Sequence, residues 1–376
     1  MTTIEEAAST IPLIDHHCHG VLREMPDRAA FEILATESDW PEPGGQTIFD
    51  SPFGVVVRAE CAPLLGLERH ASADAYFERR SELGQTEVMR RLFGPTGIQT
   101  LVMDTGFGDT SILSPDEMSA ATGASSFEIV RLERVAESIA GVTSAAGFAA
   151  DFRAALGERA VTAVGFKSII AYRFGLDFDP ARPAAAEVER AAGEWLEACA
   201  RQGRARMDHP VLLRHILWEA VDHRKPIQFH VGYGDSDIVL HRCDPTQMTG
   251  FIKATVDSGI QIMLLHCYPF IREAGFLAQV YPHVWLDTGA AVNYTGLSSG
   301  RLVRDSVELA PFSKVLFSSD AYGLPELYFG GAFLWRRAVG RILGEWVAED
   351  GMGLSDARRY LAMMAGDNAR RAYRIG

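Results

Sequence analysis

PLIDHHCHG, residues Pro12 to Gly20, sets the reading of the whole chain. Its first half, Pro12 to Asp15, is a short apolar run of the length and composition of a buried β-strand. Its second half places Asp15, His16, His17 and His19 where that strand ends. His17 and His19 are two residues apart, and the period of two along a strand turns both side chains to one side. Such a pair can chelate one ion, and imidazole is a good ligand for zinc and comparable transition metals. His16 points the other way and is expected to hydrogen-bond the wall of the fold.

Similar short runs recur outward from this stretch. They are Ile98 to Met103 (IQTLVM), Phe127 to Leu132 (FEIVRL), Val161 to Lys167 (VTAVGFK), Ile227 to Val231 (IQFHV), Ile260 to His266 (IQIMLLH), Val284 to Asp287 (VWLD) and Lys314 to Ser319 (KVLFSS). Between them lie amphipathic stretches with apolar residues at three- and four-residue steps, as in Ala184 to Gly203, Pro210 to Asp222 and Gly331 to Glu349. Alternating strands and helices predict parallel βα units. Eight strands predict an α/β fold of the (β/α)8 TIM-barrel type, one domain over residues 1–376. Residues 20–97 are too long for one crossover and read as a mostly helical insertion after the first strand, with Asp74 to Arg91 covering the barrel mouth.

In such a barrel the carboxyl ends of the strands converge on one face. Those ends deliver Lys167 on the fourth strand, His230 on the fifth, His266 on the sixth and Asp320 after the eighth, beside His17 and His19. A lone histidine at a strand end is more often a hydrogen-bonded rim residue than a ligand, but jointly the odds reverse, and His17, His19, His230 and Asp320 supply a metal shell with room left for water. Two accounts of Lys167 stay open. Its ammonium pairs with a carboxylate of the site or an anionic substrate, or it is carbamylated and bridges two ions, the second held by His230 and His266. His70, His209, His215, His223, His241 and His283 fall on helices, loops or strand starts and read as surface or structural.

Composition narrows the partners. The 376 residues are 47% hydrophobic and 23% charged, the profile of a soluble protein with a large core. A formal net charge of −13 and the absence of a long basic run argue against nucleic acid. No apolar run approaches the roughly 20 residues that span a bilayer, and the acidic MTTIEEAAST start is unlike a signal peptide, so a cytoplasmic location is expected. The expected partner is a small-molecule substrate, with neither nucleic acid nor membrane; assembly into a homo-oligomer stays open. Five widely spaced cysteines without CxxC spacing argue against a disulfide framework or a cysteine zinc site. Cys18 and Cys267 each adjoin a candidate histidine and read as small buried apolar side chains.

Together, IDHHCHG, VGFKSIIAYRFGL, IQFHVGYGD, LLHCYPF followed by REAG, VWLDTG and FSSDAYGLPE resemble the amidohydrolase superfamily. The similarity is to its amidohydrolase-related branch of metal-dependent TIM-barrel hydrolases, and to the hydrolase-like part of glutamine-synthetase fusion proteins. It implies that His17, His19, His230 and Asp320 bind metal and that His266 either binds a second metal or contacts substrate. One or two divalent ions per chain are implied, zinc or another transition metal. Many superfamily members place a small β-sandwich around the termini, and a first ligand at residue 17 leaves no room for an N-terminal half of it.

The expected reaction is hydrolysis of a C–N amide bond in a small carboxylate-bearing molecule through metal-activated water, with a γ-glutamyl amide suggested by the resemblance. Asp320 is the expected general base that later protonates the leaving amine, and His266 orients the carbonyl oxygen. Tyr172, Arg173 and Tyr268 are expected to contact substrate, the arginine by forking to a carboxylate. A metal-dependent decarboxylase or isomerase on the same scaffold is the alternative, and a non-catalytic metal-binding barrel a third. Glu326 could equally open a helix, where an acidic residue suits the N-terminal dipole.

Overall fold

The computed structural model describes residues 3–107 and 110–376. Seven parallel strands form one curled sheet in sequence order: β1 Leu13–Cys18, β2 Ile98–Asp104, β3 Ser125–Arg131, β4 Gly165–Ser168, β5 Ile227–Val231, β6 Ile262–His266 and β7 Val284–Leu286. The eighth run differs from the expected strand. Val315 to Ser319 makes one bridge, Leu286 with Val315, and no ladder. Its remaining bonds show why. Leu316 N donates to Leu286 O at 3.0 Å and His16 N to Phe317 O at 3.1 Å, so the segment touches both β7 and β1. Ser319 N is taken by the Asp15 carboxylate, at 3.0 Å, in place of a backbone carbonyl. A side chain has replaced the next rung.

Strand alternation sorts the core into two sets. Ile14, Val102, Ile129, Met263, Leu265, Trp285 and Leu316 pack together on the inner face, with Ala369, Ala372, Tyr373 and Ile375 from the C-terminal segment among them. Leu13, Leu101, Val130, Phe166, Phe229 and Leu264 belong to the larger cluster shared with the surrounding helices. The fourth strand begins at Gly165 rather than Val161, because the preceding helix Phe148–Ala160 runs on and leaves Val161 81% exposed.

The helices place the sheet's carboxyl edge. At the N-terminus α1 (Ile4–Thr10) opens with a capping box, Thr3 Oγ1 accepting from Glu6 N while Glu6 Oε2 accepts from Thr3 N. Between β1 and β2 lie α2 (Arg28–Leu34), shorter helical turns from residue 43 to 64, and α3 (Ala73–Phe93), which breaks at Gly84 where φ is +75°. Two helices between β4 and β5, α4 (Ala185–Gln202) and α5 (Pro210–Asp222), match the amphipathic stretches. The longest, α6 (Pro325–Ala348), starts with proline at its first position, five residues beyond Asp320. Glu326 in its first turn is fully buried and bonds Arg80 Nε at 2.8 Å and the Tyr76 hydroxyl at 2.9 Å, both on α3. That ion pair ties α3 to α6. No helix of the described residues is long and apolar enough to cross a membrane.

Candidate active site

His17 and His19 leave the end of β1 side by side, their rings 5.2 Å apart. Each ring is oriented through Nδ1. His17 Nδ1 lies 2.8 Å from Gln228 Oε1; since the Gln228 amide nitrogen donates to His16 O and the Tyr373 hydroxyl, that oxygen is free to accept. His19 Nδ1 donates to the carbonyl of Asp104 at 3.0 Å. Both Nδ1 atoms therefore hold the proton, and both Nε2 atoms present a lone pair. They converge on Asp320: Oδ1 lies 3.1 Å from His17 Nε2 and 3.6 Å from His19 Nε2. Among the described residues these three form a cluster whose ligand atoms lie within 4.8 Å of one another. A divalent transition metal fits this set of two oriented imidazoles and a carboxylate.

The other expected residues surround that cluster. His266 Nδ1 is 3.5 Å from Asp320 Oδ2, and its ring stands 5.5 Å from His17 and 4.7 Å from His230. His230 lies outside the three-residue cluster. Its Nε2 is buried without a hydrogen-bond partner, and a Cβ on Gly234 would come within 2.9 Å of it. Only glycine leaves that nitrogen uncrowded. Lys167 is buried, with Nζ 3.4 Å from His17 Nε2. Tyr172 packs on the His230 ring at 4.3 Å, and Arg173 reaches the cavity with Nη2 3.4 Å from Glu137 and Nε unpartnered. Tyr268 is 39% exposed, meets Tyr233 edge-on and does not line the cavity. His16 is turned inward, its Nε2 2.6 Å from Asp287 and its Nδ1 3.0 Å from the Tyr373 hydroxyl.

Backbone geometry at the rim is unusual in the same places. His266, Cys267 and Asp320 have φ of +67°, +59° and +52°, the left-handed region that favours glycine. Fixed partners hold two of them there. The Asp287 carboxylate accepts from His266 N at 2.7 Å, and Asp320 N donates to His17 O at 3.0 Å. Such conformations persist where the surroundings over-determine them, and they gather at functional sites.

Burial sets the protonation of these groups. It lowers the His17 pKa to about 3, with Lys167 adding to the effect and Asp320 opposing it. It lowers His230 and His266 as well. Burial alone would raise Asp320, but the His266, His17 and His19 rings around it outweigh that and hold the carboxyl well below the usual range. Lys167 falls to about 8 by burial, against the pull of Asp104 and Asp320. Neutral imidazoles facing an ionised carboxylate are the state a metal ligand set requires.

The cavity above the cluster has a volume of about 360 Å³. Several residues in or beside it were not singled out in the sequence. Asp104 ends β2 and Arg131 ends β3; they pair at 2.6 Å, with the guanidinium 4.5 Å over the Phe107 ring. The strand-end rule that found Lys167 would have found both. Gln228 sits two residues before His230, which the same period of two relates to it. Glu37 lies in the segment after α2, where no strand or helix pattern marks it. Burial, then Asp320, raises its carboxyl pKa to about 8, and the Tyr294 hydroxyl bonds it.

With this geometry in view the comparisons are specific. The amidohydrolase family pattern matches residues 14–375. Protein fluG of Emericella nidulans is 25% identical over 417 aligned positions, which take in all of this chain and 47% of the relative, so the chain spans about half that protein's length. A crystal structure from Lactobacillus casei ATCC 334, provisionally named a metal-dependent hydrolase, is 27% identical with a TM-score of 0.86, covering 100% of this chain and 98% of the other. A uronate isomerase from Bacillus halodurans C-125 shares the fold at 14% identity and a TM-score of 0.68, over 99% of this chain and 96% of its own. The chain belongs to the amidohydrolase family and is an enzyme.

Proposed function

We propose that this enzyme is a metal-dependent hydrolase that cleaves the C–N amide bond of a small carboxylate-bearing molecule, with a γ-glutamyl amide as the candidate substrate. We read its scaffold as a (β/α)8 barrel over residues 1–376, the Val315 to Ser319 segment standing in the eighth strand's place and residues 20–97 forming an insertion over the mouth. One observation carries the functional reading: the Nε2 lone pairs of His17 and His19 face one carboxylate oxygen of Asp320, and each opposite ring nitrogen is locked by a separate acceptor. The naming of a 27% identical structure as a metal-dependent hydrolase supports it.

Zinc or a comparable divalent ion would be held by His17, His19 and Asp320, with His230 Nε2 as the next donor and Lys167 beside them. When bound, such an ion lowers the pKa of water and polarises a carbonyl. The chain's own residues do the rest. Asp320 stays ionised at neutral pH, and its Oδ2, beside His266, takes the proton from the attacking water and returns it to the leaving nitrogen. His266, with Nδ1 3.5 Å from that oxygen, stands beside it and orients the substrate carbonyl. Arg173 has an unpartnered Nε and takes the substrate carboxylate, while Tyr172 forms the wall above His230.

A panel of γ-glutamyl amides, other amides, carboxylic acids and uronates, offered to the metal-loaded enzyme, tests the reading. Release of ammonia or an amine is expected. Carbon dioxide release, or an isomerised sugar acid without amine, would overturn it.

A further inference from the structure

A second cavity, of about 290 Å³, lies between α1, α6 and the turn Gly94–Thr96. Arg336, Arg337 and Arg341 line it, and Phe329 and Phe333 give it an apolar wall. Arg336 is only 7% exposed. Its Nη2 donates to the carbonyl of Ile11, while its Nε is buried without any partner. The guanidinium lies over Gly97, where a Cβ would come 2.6 Å from Nη2. The cavity is therefore built around this side chain.

Its charge is unmatched. Glu5 also lines the cavity, but its carboxyl lies along α6 against Gly344. Among the described residues no carboxylate makes an ion pair with Arg336, and burial, with no acidic group opposing it, pushes its pKa down to about 10. Buried guanidiniums elsewhere in the chain are matched: Arg80 with Glu326, Arg131 with Asp104, Arg214 with Asp179. Burying a cation unpaired is costly, and the cost is relieved by an anion set beside the guanidinium.

We propose that this cavity binds a small amphipathic carboxylate. Its carboxylate bonds the guanidiniums of Arg336, Arg337 and Arg341 that line the cavity, a match of fork and carboxylate geometry. Its apolar body lies against Phe329 and Phe333. The volume is at the small end for ligand cavities, and the aromatic wall disfavours a heavily hydrated phosphate. Ile11 precedes His17 by six residues, about 20 Å of extended chain, and the two cavities share no lining residue. A ligand here does not touch the substrate of the catalytic cavity.

The test uses 4-bromobenzoate as probe and 4-bromobenzamide as its neutral control, both on the metal-loaded full chain. The expected result is an anomalous bromine peak beside Phe329 and Phe333, with the carboxylate in hydrogen-bond reach of Arg336, and no peak there for the amide. Calorimetry should show that site weakened at least tenfold by the surface double substitution Arg337→Ala, Arg341→Ala. Bromine only in the catalytic cavity or nowhere, equal binding of the amide, or an unchanged affinity in the double variant would each overturn the proposal. Should the double variant fail to fold, the peak position and the amide control still decide it.

Discussion

Charge is buried in two ways in this enzyme. Between α3 and α6, Arg80 and Glu326 are both inaccessible to solvent and complete each other, with the Tyr76 hydroxyl on the same carboxylate oxygen and the Phe31 ring 5.1 Å from the guanidinium. At the sheet's carboxyl edge, His17, His19, Lys167 and His230 are buried around Asp320 but leave work undone. His230 Nε2 has no partner, the Lys167 pKa is depressed, and the nearest neighbours of the Asp320 carboxylate are imidazoles that are themselves kept neutral. The first arrangement is finished by folding, and the second is finished only by a ligand. Buried polar groups that the fold satisfies report on architecture, and those it leaves incomplete report on function.

Breaking each arrangement separates the two roles. Glu326→Gln should have the largest effect on stability, about 3–5 kcal/mol, because it strands the Arg80 cation in the interior. Denaturant unfolding measures that loss, while turnover per folded molecule should stay within about twofold. Asp320→Asn should do the reverse. Folding and most metal are retained, and turnover falls at least roughly hundredfold as the base is lost. Metal analysis alongside kinetics checks it, and near-normal turnover with metal in place would move attention to His266.

Smaller effects sharpen the contrast. Gln228→Leu removes the acceptor that fixes the His17 tautomer and should weaken metal affinity by about 10- to 100-fold with the protein still folded, as read by competition with a chromogenic chelator. Lys167 gives a pH signature. With a pKa of about 8 it is mainly an ammonium at pH 7, and its Nζ is 3.4 Å from the His17 nitrogen that faces the ion. A dication there disfavours the ammonium, so the pKa falls further and a proton leaves. Metal loading at pH 7 should release up to about one proton from Lys167, and loading well above pH 8 should release none, measured by calorimetry in buffers of different ionisation enthalpy. A carbamate at Lys167 has no ammonium to lose, and its loading would instead depend on dissolved carbon dioxide.

How far the sequence reached follows the same division. Seven of the eight strand runs were legible because each is a short apolar run bounded by turn signals, and a residue's place at a strand's end foretold its place at the rim. Of the residues expected there, His17, His19 and Asp320 come together and His266 lies beside them. Val315 to Ser319 was legible as a run but not as a ladderless segment, since a side chain of Asp15, some three hundred residues distant in sequence, takes the rung. Tyr268 was placed near the site by its neighbours in sequence, yet it is 39% exposed and does not line the cavity. Glu37 was out of reach, because only the tertiary path of the residues between β1 and β2 brings it over the cavity. Arg336 resembled any other helix arginine until Gly97 and Ile11 were seen beneath it.

The central claim is that this set of imidazoles and one carboxylate holds a catalytic ion. Diffraction from metal-loaded crystals above and below the absorption edge of the bound metal tests it most directly. The account predicts an anomalous peak in contact with His17 Nε2, His19 Nε2 and Asp320 Oδ1, lost when both histidines are replaced by alanine. A metal-loaded, active enzyme with no peak at these residues would contradict it.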